Sequence, residues 1–247
     1  MTLSGLADIL VVGDKTGNVM KITIPEGWTT KDMDKYFTEI GKFQPGSFLS
    51  VVNSPVNNSD YTILADRPEG VGLEGYLFPD TYNIYKKATE KEVIEKMLQN
   101  LEKKFKPEWR QEIKNQGKTI YEIITMASII EKEVRKQEDM EYVSDIFWRR
   151  IKNRQGLESC ATLAYVLGVN KNQYSIEDTK TNSPYNTYRN KGLPPGPISN
   201  PGINAIKAAI YPRSNNYNFF LSAAVTGDTI YSVTFEEHVR NKNKYLK

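Results

Sequence analysis

Residues 119–133, TIYEIITMASIIEKE, decide the reading of this 247-residue chain. Thr119 and Glu122 stand at the spacing of a capping box, so a helix starts there. Ile120, Ile123, Ile124, Met126, Ala127, Ile129, Ile130 and, beyond the quoted stretch, Val134 surround much of its circumference, and a helix apolar nearly all round runs through a core. Its last turn nevertheless carries Glu131 and Glu133. An unpaired carboxylate in such surroundings takes up its proton. A carboxyl group that stays protonated near neutral pH is what a general acid toward a glycosidic oxygen requires. Side chains two apart on a helix point about 160° away from each other, so the two glutamates cannot serve one substrate. The apolar stripe does not choose between them. The plain alternative is that one or both pair with Lys132, Arg135 or Lys136.

Upstream, residues 9–12 and 19–24 read as two strands joined by the turn-rich stretch 13–17. Thr29 or Thr30 caps a helix bearing Met33, Tyr36, Phe37 and Ile40. Residues 41–72 are loop-rich, which sets a soft boundary near residue 70. The remainder is mostly helical. Thr89 and Glu92 form a second capping box ahead of Val93, Met97, Leu98, Leu101 and Phe105, and Pro107 interrupts that helix. Residues 139–154 are amphipathic, and residues 160–167 form a short helix stopped by Gly168. Asn200-Pro201 reads as an N-cap and first-turn proline. Strands at 219–225 and 230–234 and a helix from Glu236 close the chain, and no internal repeat occurs.

Composition excludes several classes. Hydrophobic residues at 39% and charged residues at 26% are a globular balance rather than a disordered one. A net charge of +3 is too small to argue for a nucleic-acid partner. One cysteine and one histidine leave no internal disulfide, no zinc site within the chain and no histidine-based triad. The chemistry must rest on carboxylates, hydroxyls and amides, and neither metal nor cofactor is expected. No stretch approaches the roughly 20 apolar residues that cross a bilayer, and residues 1–18 are neither signal peptide nor anchor. Cys160 reads as a small buried side chain and His238 as a residue of a surface helix face.

Two further stretches stand out. Residues 182–198, NSPYNTYRNKGLPPGPI, form a polar, aromatic, proline-rich loop whose Tyr and Asn side chains offer stacking faces and amides to a sugar, or pack down as a connector. Residues 74–82, EGYLFPDTY, suit a cleft wall or a turn between domains.

Taken in order, ITIPEG (22–27), EGYLFPDTY (74–82), ASIIEKE (127–133), LESCAT (157–162), YNTY (185–188) and GLPPGPI (192–198) with NPG (200–202) resemble the endolytic murein transglycosylase family, called YceG-like or MltG, over nearly all of residues 19–247. The resemblance implies an α+β protein. Its parts would be a small LysM-like subdomain over residues 1–70, truncated at its start, and a mainly helical, lysozyme-like transglycosylase domain over residues 71–247 ending in a β-hairpin. It implies a bacterial enzyme of the cell envelope, anchored in the plasma membrane by one helix absent from this chain, with its catalytic domain on the extracytoplasmic face. The substrate would be peptidoglycan glycan strands, and peptidoglycan synthases are candidate partners.

The family's catalytic acid falls on Glu133. Val134 follows it where related enzymes often carry a small or hydroxyl residue, so Glu131 is kept as the alternative. Glu74, Tyr185, Asn186, Tyr188 and Ser128 are expected to bind substrate. Cys160 stands where many relatives have an aspartate and receives no role. A glycan-binding scaffold without turnover, and ordinary hydrolysis by water, are the competing functions.

Overall fold

The computed structural model describes residues 18–55, 58–171 and 174–246. The strand expected at residues 9–12 lies outside them. The described residues are α+β, a mainly helical body with two small antiparallel sheets.

Strand β1 (Val19–Thr23) pairs in antiparallel fashion with β2 (Thr81–Tyr85), from Val19 opposite Tyr85 to Thr23 opposite Thr81. Within the described residues, β1 therefore finds its partner some sixty residues downstream. The stretch read as cleft wall or turn contributes a strand whose Tyr82 and Ile84 point inward while Thr81, Asn83 and Tyr85 face out, the period-two pattern of a half-buried strand.

Between these strands run α1 (Thr30–Glu39), started by a Thr29–Asp32 capping box, and α2 (Ser47–Val52), a short helix inside the stretch read as loop. Two single-turn 3₁₀ helices, Asn58–Asp60 and Thr62–Leu64, complete the connection. The packing is continuous across residue 70, because one buried cluster extends from Ile22 through Tyr76 and Leu98 to Ile210.

Helix α3 (Glu90–Lys104) opens with the Thr89–Glu92 box, and Pro107 both ends that segment and occupies the first turn of α4 (Pro107–Asn115), where its missing N–H has no intrahelical partner to lose. Helix α5 (Ile120–Glu133) starts at the Thr119–Glu122 box and buries every residue from Ile123 to Ile130. Around it lie α6 (Gln137–Lys152), α7 (Cys160–Leu167), a single turn α8 (Ile176–Thr179) and α9 (Ile203–Ile210), which packs along both α5 and α6. Gly168 ends α7 at φ +69°, the left-handed conformation glycine adopts without strain. Strands β3 (Phe219–Ser222) and β4 (Thr229–Ser232) form the hairpin, and α10 (Phe235–Tyr245) packs on it. No helix among the described residues is long and apolar enough to cross a membrane.

Asn200 departs from its expected role. The N-cap of α9 is Gly202, and the Asn200 side chain instead acts as a four-way tie. Its Oδ1 accepts from the N–H groups of Gly75 and Leu77 at 3.0 and 2.9 Å, while its Nδ2 donates to the Trp28 carbonyl at 3.0 Å and to Glu74 at 2.7 Å. Three motifs far apart in sequence thus meet at one fully used amide. Gly75 sits at φ +89°, and a Cβ there would come within 2.6 Å of Pro197 and 2.8 Å of Ile124. Only glycine permits this close approach of the 74–82 stretch to α5 and the proline loop.

Candidate active site

Glu133 is the last residue of α5. Val134 turns the chain into extended conformation immediately after it, so the carboxyl leaves the helix end instead of lying along a flank. It reaches the N-terminus of α7. There Glu133 Oε1 accepts a short hydrogen bond from Ser159 Oγ and one from the Ala161 N–H at 3.3 Å. Ser159 is the N-cap of α7 but makes no cap bond of its own, so its hydroxyl is spent on Glu133 while the glutamate takes an N–H of that helix's first turn. The hydroxyl is aimed by a buried threonine pair. Ser159 N–H donates to Thr187 Oγ1 at 3.1 Å, Thr162 Oγ1 donates to the Ser159 carbonyl at 2.8 Å, and the two threonine hydroxyls share a 2.9 Å bond.

Burial pushes the Glu133 carboxyl above its ordinary range, against the opposing pull of Ser159, the Ala161 N–H and the nearby Arg150 charge. Desolvation wins because neither donor carries a full charge. Among the described residues neither Glu131 nor Glu133 forms an ion pair: Lys132 donates to the Gly27 carbonyl at 3.2 Å, and Lys136 pairs with Asp228 at 2.7 Å.

Glu133 opens into a cavity of about 510 Å³ that Arg150, Glu158, Cys160, Tyr188 and His238 also line. Glu131 has a different place. It accepts from the Gly202 N–H at 2.9 Å, at the start of α9, and lies beside Glu26, whose charge adds to burial in raising it. The helix geometry that forbade a shared substrate thus assigns the cavity to Glu133 and gives Glu131 a capping task.

Of the residues expected to bind substrate, Tyr188 alone lines this cavity, its hydroxyl 3.2 Å from Cys160 Sγ. Asn186 is fully buried, and its amide holds the loop together by donating to the Thr179 and Thr181 carbonyls and accepting from the Tyr188 N–H. Ser128 is also fully buried, donating to the Thr125 carbonyl and accepting from the Ile198 N–H at 3.0 Å, which pins the proline loop to α5. Tyr185 packs against Tyr165, with ring centroids 5.1 Å apart. Glu74 accepts from the Thr30 N–H, the Thr30 hydroxyl at 2.8 Å and Asn200, and burial pushes it up to about 7. It ties the start of α1 to the rest and does not line the cavity. Glu74, Asn186 and Ser128 thus have their polar atoms engaged within the protein, as buried polar groups ordinarily do, and Tyr185 packs on another ring.

The structure also moves two residues into view. Cys160, expected to be buried, is exposed at the cavity lip. His238, expected on an outer helix face, lines the cavity with its ring stacked on Phe219 at 5.2 Å. Ser159, Thr162 and Thr187 lay inside the quoted motifs, but nothing in their spacing marked them as the group that aims a hydroxyl at Glu133. No cluster of three potential metal-ligating side chains occurs among the described residues. The arrangement is that of a carboxyl, its proton affinity raised by burial, at the edge of an aromatic-walled cavity.

The sequence profile of the YceG-like family matches residues 1–244. The chain belongs to the YceG-like family. Among the proteins similar to this YceG-like chain is the endolytic murein transglycosylase of Bacillus subtilis, 30% identical over all of this chain and 70% of that protein. The endolytic murein transglycosylase of Streptococcus pneumoniae is 31% identical over 91% of this chain, which spans only 44% of that longer protein. The crystal structure of a YceG-like protein from Listeria monocytogenes is 31% identical and superposes with a TM-score of 0.77, covering 89% of this chain and 75% of that one.

Proposed function

We propose that this chain is an endolytic lytic transglycosylase that cleaves the bond between N-acetylmuramic acid and N-acetylglucosamine inside peptidoglycan strands, with Glu133 as its acid and base. The names of the relatives support the substrate and the reaction class. The observation that carries the residue assignment is the Glu133 carboxyl itself, in no ion pair among the described residues, its proton affinity raised by burial and open to a cavity.

In the proposed reaction the Glu133 carboxyl gives its proton to the glycosidic oxygen as the bond from muramyl C1 breaks. The muramyl C6 hydroxyl oxygen then bonds to C1, and its proton returns to Glu133, leaving a 1,6-anhydro end. No water is consumed. One carboxyl suffices because the nucleophile belongs to the substrate, whereas hydrolytic glycosidases place two around the bond. Ser159 and the start of α7 steady the ionised form between the two proton transfers.

The same reading includes a LysM-like role for the small β1–α1–α2–β2 unit. It includes attachment to the plasma membrane with the site on the extracytoplasmic face, trimming or terminating nascent strands, and work beside peptidoglycan synthases. The antiparallel closure of β1 on β2 supports a unit that runs to Tyr85.

Incubating the Glu133→Gln protein with peptidoglycan strands and resolving the products by mass tests the proposal. Release of anhydromuramyl products should fall by at least about 100-fold, the usual scale for loss of a general acid. Near wild-type release would remove Glu133 from the mechanism. Wild-type products with reducing muramyl ends would mean hydrolysis, and unchanged strand length would mean a binding module.

A further inference from the structure

A second groove of about 550 Å³ adjoins the Glu133 cavity, and Arg150, Glu158 and Phe219 line both. Its polar wall holds four cations, Arg149, Arg150, Arg154 and Lys191, against one carboxylate, Glu158. Two of the cations build the wall. Arg149 pairs with Asp145 at 2.9 Å, and Arg150 donates to the Leu157 and Asn218 carbonyls at 2.5 and 2.9 Å. The other two, Arg154 and Lys191, are exposed and form no ion pair among the described residues. They come from separate segments, the end of α6 and the proline loop, and an isolated backbone bridge between Gly156 and Lys191 draws those segments together.

The backbone singles out the same place. Among the described residues only Arg154 and Glu158 combine a side chain with a positive φ, at +56° and +50°, and both line this groove. Arg154 occupies the left-handed stop after α6, a position where glycine is the ordinary choice. Strain of this kind persists where the surrounding structure holds it and gathers at binding sites. The dipole of α6 would account for a cation at its end but not for Lys191 arriving from another loop.

We propose that this groove binds the carboxylates of the short peptides carried on muramyl sugars, so that a strand lies with its sugar in the Glu133 cavity and its acidic branch between Arg154 and Lys191. The inference rests on the peptidoglycan reading above. A guanidinium and an ammonium group from two separate segments suit a branch with more than one carboxylate, the arginine binding in bidentate fashion and the lysine as a point charge. Continuity of groove and cavity suits an anion tethered to the sugar being cleaved.

The test is an Arg154→Gln/Lys191→Gln double variant compared with wild type on three substrates. These are peptide-bearing strands, the same strands stripped of peptide, and stripped strands ending in a lipid diphosphate. The ratio of kcat/KM for peptide-bearing over stripped strands should fall about tenfold, the scale of two exposed ion contacts, and the loss should shrink at high salt. An unchanged ratio overturns the proposal. A loss confined to the diphosphate-ended strands also overturns it, assigning the groove to that anion.

A binding measurement separates this failure from failure of the reaction itself. In the Glu133→Gln background, calorimetric titration with soluble peptide-bearing glycan fragments should show the same tenfold weakening on adding the double substitution, whether or not the wild-type protein turns strands over. Equal affinities there would sink the groove assignment alone.

Discussion

Replacing Glu74 by Gln should flatten the dependence of folding stability on pH, and the structure sets the size of the effect. Glu74 lies between the start of α1 and Asn200, and burial pushes its carboxyl up to about 7 although Thr30 and Asn200 donate to it. In the unfolded chain the same group titrates near the ordinary value of 4.5. The folded state therefore holds this proton the more tightly. Below pH 4.5 both states are protonated and the group is neutral in the balance. As pH rises from 4.5 to about 7 the unfolded chain ionises first, so stability is lost across that window and stays lost above it.

At 1.36 kcal/mol per pH unit the loss comes to about 3 kcal/mol. For a chain of this length that is on the order of 6–12 °C in Tm. Gln fits the same contacts. Its oxygen can accept from the Thr30 N–H and Asn200, and its amide can donate to the Thr30 hydroxyl, which rotates to accept. The assay is thermal unfolding followed by circular dichroism from pH 5 to pH 8 for both proteins. Other groups titrate in each, so the difference between the two curves is the measure. It should open in favour of Gln by about 3 kcal/mol toward pH 8. Parallel curves would refute burial as the force acting on Glu74.

Ser159→Ala removes the hydroxyl that favours ionised Glu133, so the alkaline limb of the pH profile for strand cleavage should move to higher pH; a limb that stays in place would mean that another group sets it. Asn200→Ala leaves the Gly75 and Leu77 N–H groups buried without acceptors, and urea unfolding should show a loss of about 2–5 kcal/mol. Gly75→Ala drives a methyl group against Pro197 and Ile124 from a left-handed backbone, and the same measurement should show a loss of at least about 2–4 kcal/mol, while a neutral result would mean the proline loop yields easily.

Local chemistry explains what could be read without coordinates. The capping boxes at Thr89 and Thr119, the all-round apolar α5 and the glycine stop of α7 each depend on residues within a turn of one another, and each stands where the spacing puts it. The catalytic assignment to Glu133 came from the order of motifs in the family resemblance. Strand β2 went unread because aromatic residues masked its alternation and its partner lies some sixty residues upstream.

What the sequence by itself determined is therefore the helical frame and the presence of two carboxyls in its most apolar helix. Only the tertiary structure set their surroundings apart, by ending α5 so that Glu133 meets the start of α7 while Glu131 accepts from the start of α9. It also turned Asn186, Ser128 and Glu74 into internal ties and brought His238 to the cavity. The physical reason is range. Helix propensity and capping act over a few residues, whereas a buried polar group takes whichever partner the folded chain brings within about 3 Å, and nothing along the sequence encodes that meeting.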